Sequence, residues 1–407
     1  MTVAGASPGW VDIVRLGTRG DGVTADGRFV PVTVPGDRVR FADPVEVAAG
    51  PDHATPPCRH FPDCGGCQLQ HVTDSAYERW AVARIVAALD IVGVAVGRVE
   101  PFALSPPRSR RRASLRAVRR GGALTLGFNA DASHRIVDMH ECHVLTPGLF
   151  ALVAPLRALL RAALKDGEGA GITLTESDSG VDVLLANVAA RSLADIERLN
   201  AFAAAHDLAR LSVEGAEGVE TVTEARPPVL RFGGVGVVLP PAPFLQATRA
   251  GEAALQAAVA AATAGAQAVA DLFSGLGTFA LPLSAGARVL AVDSSASAAA
   301  ALAAAARAAG RTLLVEPRDL FRRPLAPAEL ARFDAVVFDP PRAGAAAQVA
   351  ALAASAVPRV VAVSCNPGSF ARDAAVLAAG GYRLERLWPV GQFRWSSHVE
   401  LAAQFSR

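Results

Sequence analysis

The sequence predicts an α/β protein with a doubly wound parallel sheet in its C-terminal part, preceded by a small β-barrel and a β-rich central section. Three observations predict this. From about residue 241, short apolar runs alternate with alanine-rich helical stretches. A glycine loop joins the first of those runs to a helix. Residues 10–48 carry closely spaced strand-like runs broken by Gly/Asp turns.

The chain has 407 residues, 51% apolar and 19% charged, which suits two or three domains with sizeable cores and argues against disorder. A formal net charge of +2 does not by itself announce a nucleic-acid binder. Lys165 is the only lysine, so nearly all the positive charge is arginine, the better phosphate fork and stacking cation. The first 30 residues include Asp12, Arg15, Arg19 and Asp21 and lack a continuous apolar stretch, so no secretory signal is visible. No run reads as a spanning helix. The expectation is a soluble, cytoplasmic monomer without membrane contact. There, clustered cysteines point to metal or catalysis rather than disulfides.

Taken in order, Val11–Val14, Phe29–Val34 and Arg38–Phe41 read as strands between Gly20-Asp21-Gly22, Asp26-Gly27 and Pro35-Gly36-Asp37 turns. This barrel is expected over residues 1–55. A Pro/Cys-rich loop, 51–70, precedes an amphipathic helix over Asp74–Leu89. The β-rich section follows, with Arg111–Ala117 and Ala123–Phe128 forming a hairpin about Arg120-Gly121-Gly122. Together these make a central domain over 56–240. In 241–407, Ala268–Phe273, Arg288–Asp293, Leu313–Glu316, Asp334–Asp339 and Val360–Ser364 read as buried parallel strands. Tyr382–Trp388 and Val399–Phe405 read as the last two strands.

The loop Asp271-Leu272-Phe273-Ser274-Gly275-Leu276-Gly277-Thr278-Phe279 follows a strand and opens a helix, so its glycines permit a tight turn and close ligand approach. Asp293 ends the next strand, where a carboxylate can accept both ribose hydroxyls. Asp319 follows the third strand, beside the expected adenine edge. Ala280 stands where a dinucleotide fingerprint has its third glycine. Asp271 would repel a phosphate but suits the ammonium of a methionine moiety, which favours S-adenosylmethionine.

Two further strands end in Asp339-Pro340-Pro341-Arg342 and Ser364-Cys365-Asn366-Pro367, at the sheet edge where such folds bind ligands. A thiolate at Cys365 is a candidate nucleophile. Carbon 5 of uracil is not nucleophilic until a thiolate adds at carbon 6, and its proton must later be removed by a base. Glu400 is the candidate base. Asp339-Pro-Pro alone would equally serve methylation of an exocyclic amine.

Cys58, Cys64 and Cys67, with Cys142, suit either zinc or an iron–sulfur cluster, and spacing does not choose. His60, His71, His140 and His143 are alternative ligands. Arg108, Arg110, Arg111, Arg112, Arg116, Arg119 and Arg120 fall within a stretch free of acids, and alternation along a hairpin would aim several at phosphates or unpaired bases.

Taken together, Cys58…Cys64-Gly-Gly-Cys67-Gln68-Leu69-Gln70, Phe244-Leu245-Gln246, Asp271–Phe279, Asp339-Pro-Pro-Arg342, Ser364-Cys365-Asn366-Pro367 and His398-Val-Glu400 resemble the bacterial RNA (uracil-5-)-methyltransferases over nearly the whole chain. The resemblance implies a class I S-adenosylmethionine methyltransferase domain with an OB-like, TRAM-type barrel at the start. It implies Cys365 as nucleophile and Glu400 as base. Gln246, Asp293 and Asp339 would line the cofactor and uridine pocket, with Phe273, Gly275 and Gly277 in the cofactor loop. Phe244 and Asp339 would meet the target base, while Arg111 and Arg112 are expected RNA contacts from the arginine strip itself. The outer cysteines would hold a [4Fe–4S] cluster, as in the ribosomal-RNA branch; transfer RNA is the alternative substrate. The helix near 76–105 is expected to dock on the catalytic domain. A non-catalytic RNA-binding factor is the rival from another class. The chain departs from the family at Gly391, Arg394 and Ser396, before Glu400.

Overall fold

The computed structural model describes residues 9–190 and 192–407. The N-terminal unit is an antiparallel sheet of β1 (Val11–Leu16), β2 (Gly22–Thr24), β3 (Phe29–Val30), β4 (Arg38–Arg40) and β5 (Glu46–Ala48), ordered β3-β2-β1-β4-β5. It wraps a small core of Ile13, Val30 and Val39. Its end strands β3 and β5 form no ladder with each other among the described residues, so hydrogen bonding leaves the expected barrel open.

After the cysteine loop come α1 (Asp74–Ile91), β6 (Val96–Val99) and β7 (Ala103–Leu104). Thr73 caps α1 by accepting from the Ala76 N–H. Its buried face, Tyr77, Trp80, Ala81, Ile85 and Leu89, joins the core that lies under the C-terminal sheet. Each large side chain there contributes about 1.5–3 kcal/mol of burial, enough to fix the helix in place. The segment 74–104 thus docks on the C-terminal unit.

The central sheet runs β13-β12-β11-β10-β8-β9 and uses β8 (Arg112–Arg120), β9 (Ala123–Gly127), β10 (Gly169–Ser177), β11 (Gly180–Ala186), β12 (Arg210–Gly215) and β13 (Gly218–Glu224). Helices α2 (Pro147–Ala151), α3 (Val153–Ala163) and α4 (Leu193–Ala205) accompany it, and α3 and α4 bury Leu156, Leu160, Leu199 and Phe202 in its core. The hairpin β14 (Val229–Phe232) and β15 (Val235–Val238) packs Phe232 and Val237 with Leu281 and Leu302 of the C-terminal unit. The hairpin thus lies against the C-terminal unit, although the expected central domain runs to 240.

The C-terminal unit is built from α5 (Arg249–Ala262), β16 (Ala268–Leu272), α6 (Ala280–Leu283), β17 (Arg288–Asp293), α7 (Ala296–Ala308), β18 (Leu313–Pro317), α8 (Pro327–Leu330), β19 (Ala335–Phe338), α9 (Ala346–Ala353), β20 (Arg359–Ser364), α10 (Pro367–Ala379), β21 (Arg383–Gly391) and β22 (Glu400–Ser406). Strands β18-β17-β16-β19-β20 are parallel, β22 is antiparallel to both neighbours, and β6 and β7 extend the edge beside β21. The strand order reverses at β16, so a crevice opens beyond the carboxyl ends of β16 and β19. Among the described residues no helix is long and apolar enough to cross a membrane.

Candidate active site

The loop after β16 turns through Phe273 and Gly275, both at positive φ (61° and 52°). A Cβ at Gly275 would meet nothing within 4 Å, because that glycine fronts the crevice, whereas one at Gly277 would strike Leu302 at 2.4 Å. One glycine opens the site to a ligand and the other lets α7 pack. The crevice encloses about 520 Å³ and is lined by Phe273, Ser274, Gly275, Asp293, Phe321, Asp339, Arg342, Cys365 and Glu400, among others.

Asp293 accepts from the Gly275 N–H at 2.8 Å and the Ser295 N–H at 2.7 Å. Both of its oxygens are oriented by backbone and keep lone pairs for hydroxyl donors. Asp271 is fully buried beneath the loop, and neither of its carboxyl oxygens has a hydrogen-bond partner. Burial, then the neighbouring Asp339, pushes its carboxyl well above the usual range. An orphaned acid under a glycine turn fits an incoming cation, such as the amino group of a methionine moiety. Asp319 departs from expectation. Its carboxylate caps its own turn, accepting from the Phe321 and Arg322 N–H groups, and it does not line the crevice. Phe321 lines it instead, with its ring 5.5 Å from that of Phe273.

A second opening of about 290 Å³ lies beside the first and shares Phe244, Gln246, Arg342, Cys365 and Glu400 with it; Arg110, Arg112, Phe393 and His398 complete its walls. Phe244 is 76% exposed at the common lip. Arg111 does not face this opening. It is 1% exposed, ion-paired with Glu252, and donates to the Gln246 carbonyl at 3.1 Å. Alternation along the strand turns Arg111 into the protein and Arg112 toward the pocket, where the Arg112 Nε has no partner. The expected RNA contact at Arg111 is corrected to a structural anchor.

Three side chains link the two openings. Gln392 Nε2 donates to Gln246 Oε1 at 2.7 Å, and Gln246 Nε2 donates to Asp339 at 3.1 Å. Gln392 Oε1 accepts from the Ala247 N–H, and the Gln392 side chain beside Glu400 works against the rise of that carboxyl. Burial raises the Asp339 carboxyl to about 7, against the pull of Gln246. Burial and Asp339 raise Glu400 to about 8. Burial, then Glu400 and Asp339, raises the half-buried Cys365 thiol to about 11, with Arg342 acting the other way. Cys365 immediately precedes the Asn366 cap of α10, whose N-terminal dipole favours a thiolate. Sequence reasoning passed over Gln392 and Phe321. Neither has a spacing signature; only the fold brings them to the site.

Cys58, Cys64, Cys67 and Cys142 line one narrow recess, together with His60 and His143. Burial raises the thiols of Cys58 and Cys64, and that of Cys67 to about 12. Arg110 is desolvated beside them, and thiolates at Cys67, Cys142 and Cys64 would offset its charge. The donor set and the half-buried Arg110 beside it fit an anionic thiolate-bound group. Among the described residues no three His, Cys, Asp or Glu side chains are arranged to hold a single metal ion.

Sheet and crevice define a doubly wound α/β fold with a cofactor-sized pocket where the strand order reverses. The fold matches that of the Pyrococcus abyssi tRNA (uracil-54, C5)-methyltransferase, solved with S-adenosyl-L-homocysteine, with a TM-score of 0.77 over 98% of this chain and 100% of that one, at 23% identity. Residues 244–407 match the tRNA (Uracil-5-)-methyltransferase family. An RNA methyltransferase of Zymomonas mobilis is 45% identical over 97% of this chain and 99% of its own length. The 23S rRNA (uracil(1939)-C(5))-methyltransferase RlmD of Thiobacillus denitrificans is 34% identical over 98% and 99%. The chain belongs to the RNA (uracil-5-)-methyltransferase family and is an enzyme of that class.

Proposed function

We propose that this enzyme methylates carbon 5 of a uridine in 23S ribosomal RNA through a covalent bond between Cys365 and the base. The observation that carries the reading is that Cys365 and Glu400 face both openings, one shaped for the cofactor and one for a nucleobase. The relative acting on 23S RNA, similar over the full length, supports the substrate.

When bound, S-adenosylmethionine supplies an electrophilic methyl on a positively charged sulfur. The chain supplies the rest. A uridine flipped out of the RNA enters beside Phe244, with Arg112 and Arg342 toward its phosphates. The Cys365 thiolate forms a bond to carbon 6, and the carbon 5–carbon 6 π pair moves into the enolate. Carbon 5 then takes the methyl, and the carbon–sulfur pair stays on the departing thioether. Glu400 removes the carbon 5 proton, the double bond re-forms, and the Cys365–carbon 6 pair returns to sulfur. Gln246 orients the Asp339 carboxyl, and Gln392 holds Gln246 in turn. In the N-terminal sheet, Arg38 and Arg40 lie 5.8 and 5.5 Å from the ring of Trp10, a surface that suits a further RNA contact in a TRAM-type unit.

The four outer cysteines are proposed to hold a [4Fe–4S] cluster. The bound group would keep their sulfurs ionised opposite Arg110. Broad absorption near roughly 400 nm with iron and sulfide in the purified protein is expected; zinc alone would refute it.

The mechanism is tested with RNA carrying 5-fluorouridine at the target. Fluorine cannot leave as a proton, so a denaturant-stable adduct with Cys365 is expected. No adduct, under conditions that methylate ordinary RNA, rejects the covalent route. A Cys365→Ala enzyme that still methylated would point to amine methylation at Asp339-Pro-Pro.

A further inference from the structure

Glu400 is the first residue of β22, and its neighbour Leu401 pairs with Ser364 next to the nucleophile. The direction of the Glu400 carboxyl therefore depends on the stretch that enters the strand, 392–399. That stretch is irregular. Trp395 sits at φ 61°, a conformation unfavourable to a non-glycine residue unless the surroundings impose it.

The surroundings are the cysteine loop. The Trp395 carbonyl accepts two backbone N–H groups, from Gln68 at 2.7 Å and Leu69 at 2.9 Å. The Gln68 side chain closes the contact. Its Nε2 donates to the Gly65 carbonyl, between Cys64 and Cys67, at 2.8 Å, and its Oε1 accepts from the Ser397 N–H at 3.4 Å. Leu69 is fully buried in the core of the C-terminal unit. Gly65 donates to the Asn129 carbonyl at 2.9 Å, so the loop is fastened to the central unit as well. The opposite side of 392–399 is held by α1, through Tyr77 to the Ser396 carbonyl at 3.2 Å and Arg84 to the Ser397 carbonyl at 2.5 Å. Neither Gln68 nor Trp395 lines the cofactor crevice or the base pocket.

We propose that Gln68 is a positioning residue for proton removal: by bridging the cysteine loop to Trp395 and Ser397 it holds Glu400 against carbon 5 of the Cys365-bound uracil. The integrity of the cysteine loop then sets how fast the adduct resolves, not how tightly RNA binds. The inference rests on the covalent mechanism above. It also gives the atypical Arg394 a reason. This chain fixes the entry to β22 by backbone bonds from the cysteine loop and by the Arg394–Asp74 ion pair.

The test uses the full chain and 23S ribosomal RNA from cells lacking the protein. Gln68→Met keeps the shape and removes both side-chain bonds; Gln68→Glu keeps an acceptor for Ser397. For Gln68→Met, kcat should fall roughly three- to tenfold, the worth of about one hydrogen bond, with KM for RNA within about twofold. The denaturant-stable RNA adduct formed on ordinary RNA should rise in step. Gln68→Glu should recover much of the rate, and iron per chain should stay at the wild-type value. An unchanged kcat, a change confined to KM, a slower enzyme without extra adduct, or a loss of iron accompanying the slower rate each overturns the proposal. Should the wild type fail to trap 5-fluorouridine RNA, the covalent mechanism itself is lost. Should it trap while Gln68→Met accumulates nothing, only the role of Gln68 is lost.

Discussion

The two openings that meet at Cys365 are built in opposite ways. The cofactor crevice comes from short stretches of chain at successive strand ends, and its key contacts are backbone ones: Gly275 and Ser295 N–H to Asp293, and a glycine that only a left-handed turn explains. The second opening draws on Arg110, Arg112, Ala113, Ser114, residues 244–247, Arg342, Cys365, Gln392, Phe393, His398 and Glu400, which lie far apart in the chain. Local backbone makes a site that resists sequence change. Long-range assembly makes one that depends on buried side-chain ties such as Arg111–Glu252.

Substitutions can break this comparison, and the largest effect should come at the shared residue. Cys365→Ala should lower methylation by at least about a thousandfold while leaving S-adenosylmethionine affinity near wild type, measured by calorimetry and radiolabelled transfer. Loss of cofactor binding with activity would mean the two openings are not separable.

Next comes the buried tie. Arg111→Met should lose about 3–5 kcal/mol of stability in denaturant unfolding, since it leaves Glu252 buried without a partner. Its neighbour Arg112→Met should stay within about 0.5 kcal/mol and instead weaken RNA binding with a shallower salt dependence. Equal destabilisation by both would contradict the inward and outward assignment.

Within the crevice, Asp293→Asn should weaken cofactor binding by roughly 10- to 100-fold, as for a charged hydrogen-bond acceptor. Asp319→Asn should change it less than about threefold, because Asp319 caps its own turn. Reversal of that order would restore Asp319 to the site.

The smallest effect concerns pH. Asp339 and Glu400 are raised to about 7 and about 8, so the folded state binds protons that an unfolded chain has released above about pH 4. The native state is therefore fully favoured below that value and loses stability as pH climbs toward 8. Asp339→Asn should raise Tm by about 2–4 °C at pH 8.5, and by less at pH 6. Turnover, which needs Glu400 ionised, should rise through pH 8 when adduct resolution limits the rate. Flat profiles in both measurements would mean the carboxyls are not desolvated.

Much of this was legible in residue order. The strands of the parallel sheet, α1, the Arg120-Gly121-Gly122 hairpin and the final two strands fall where periodicity places them, because each pattern depends on neighbours within one element. Family motifs named Cys365, Glu400, Gln246 and Asp293. Residue order did not show that α1, β6 and the β14–β15 hairpin bury their apolar faces against the C-terminal unit. A sequence pattern reports that a face is apolar and is silent about what covers it.

Residue order by itself determined the nucleotide-type crevice, the candidate nucleophile at a strand end and the cysteine set, since each needs only local geometry or a motif. Tertiary structure alone decided that Arg112 and not Arg111 faces the second opening, that Phe321 rather than Asp319 lines the crevice, and that Gln392 holds the Gln246 that reaches Asp339. It also decided that the cysteine loop grips the entry to Glu400. Those are contacts between segments far apart in the chain, and their energies come from burial and hydrogen-bond partners that exist only once the units have packed.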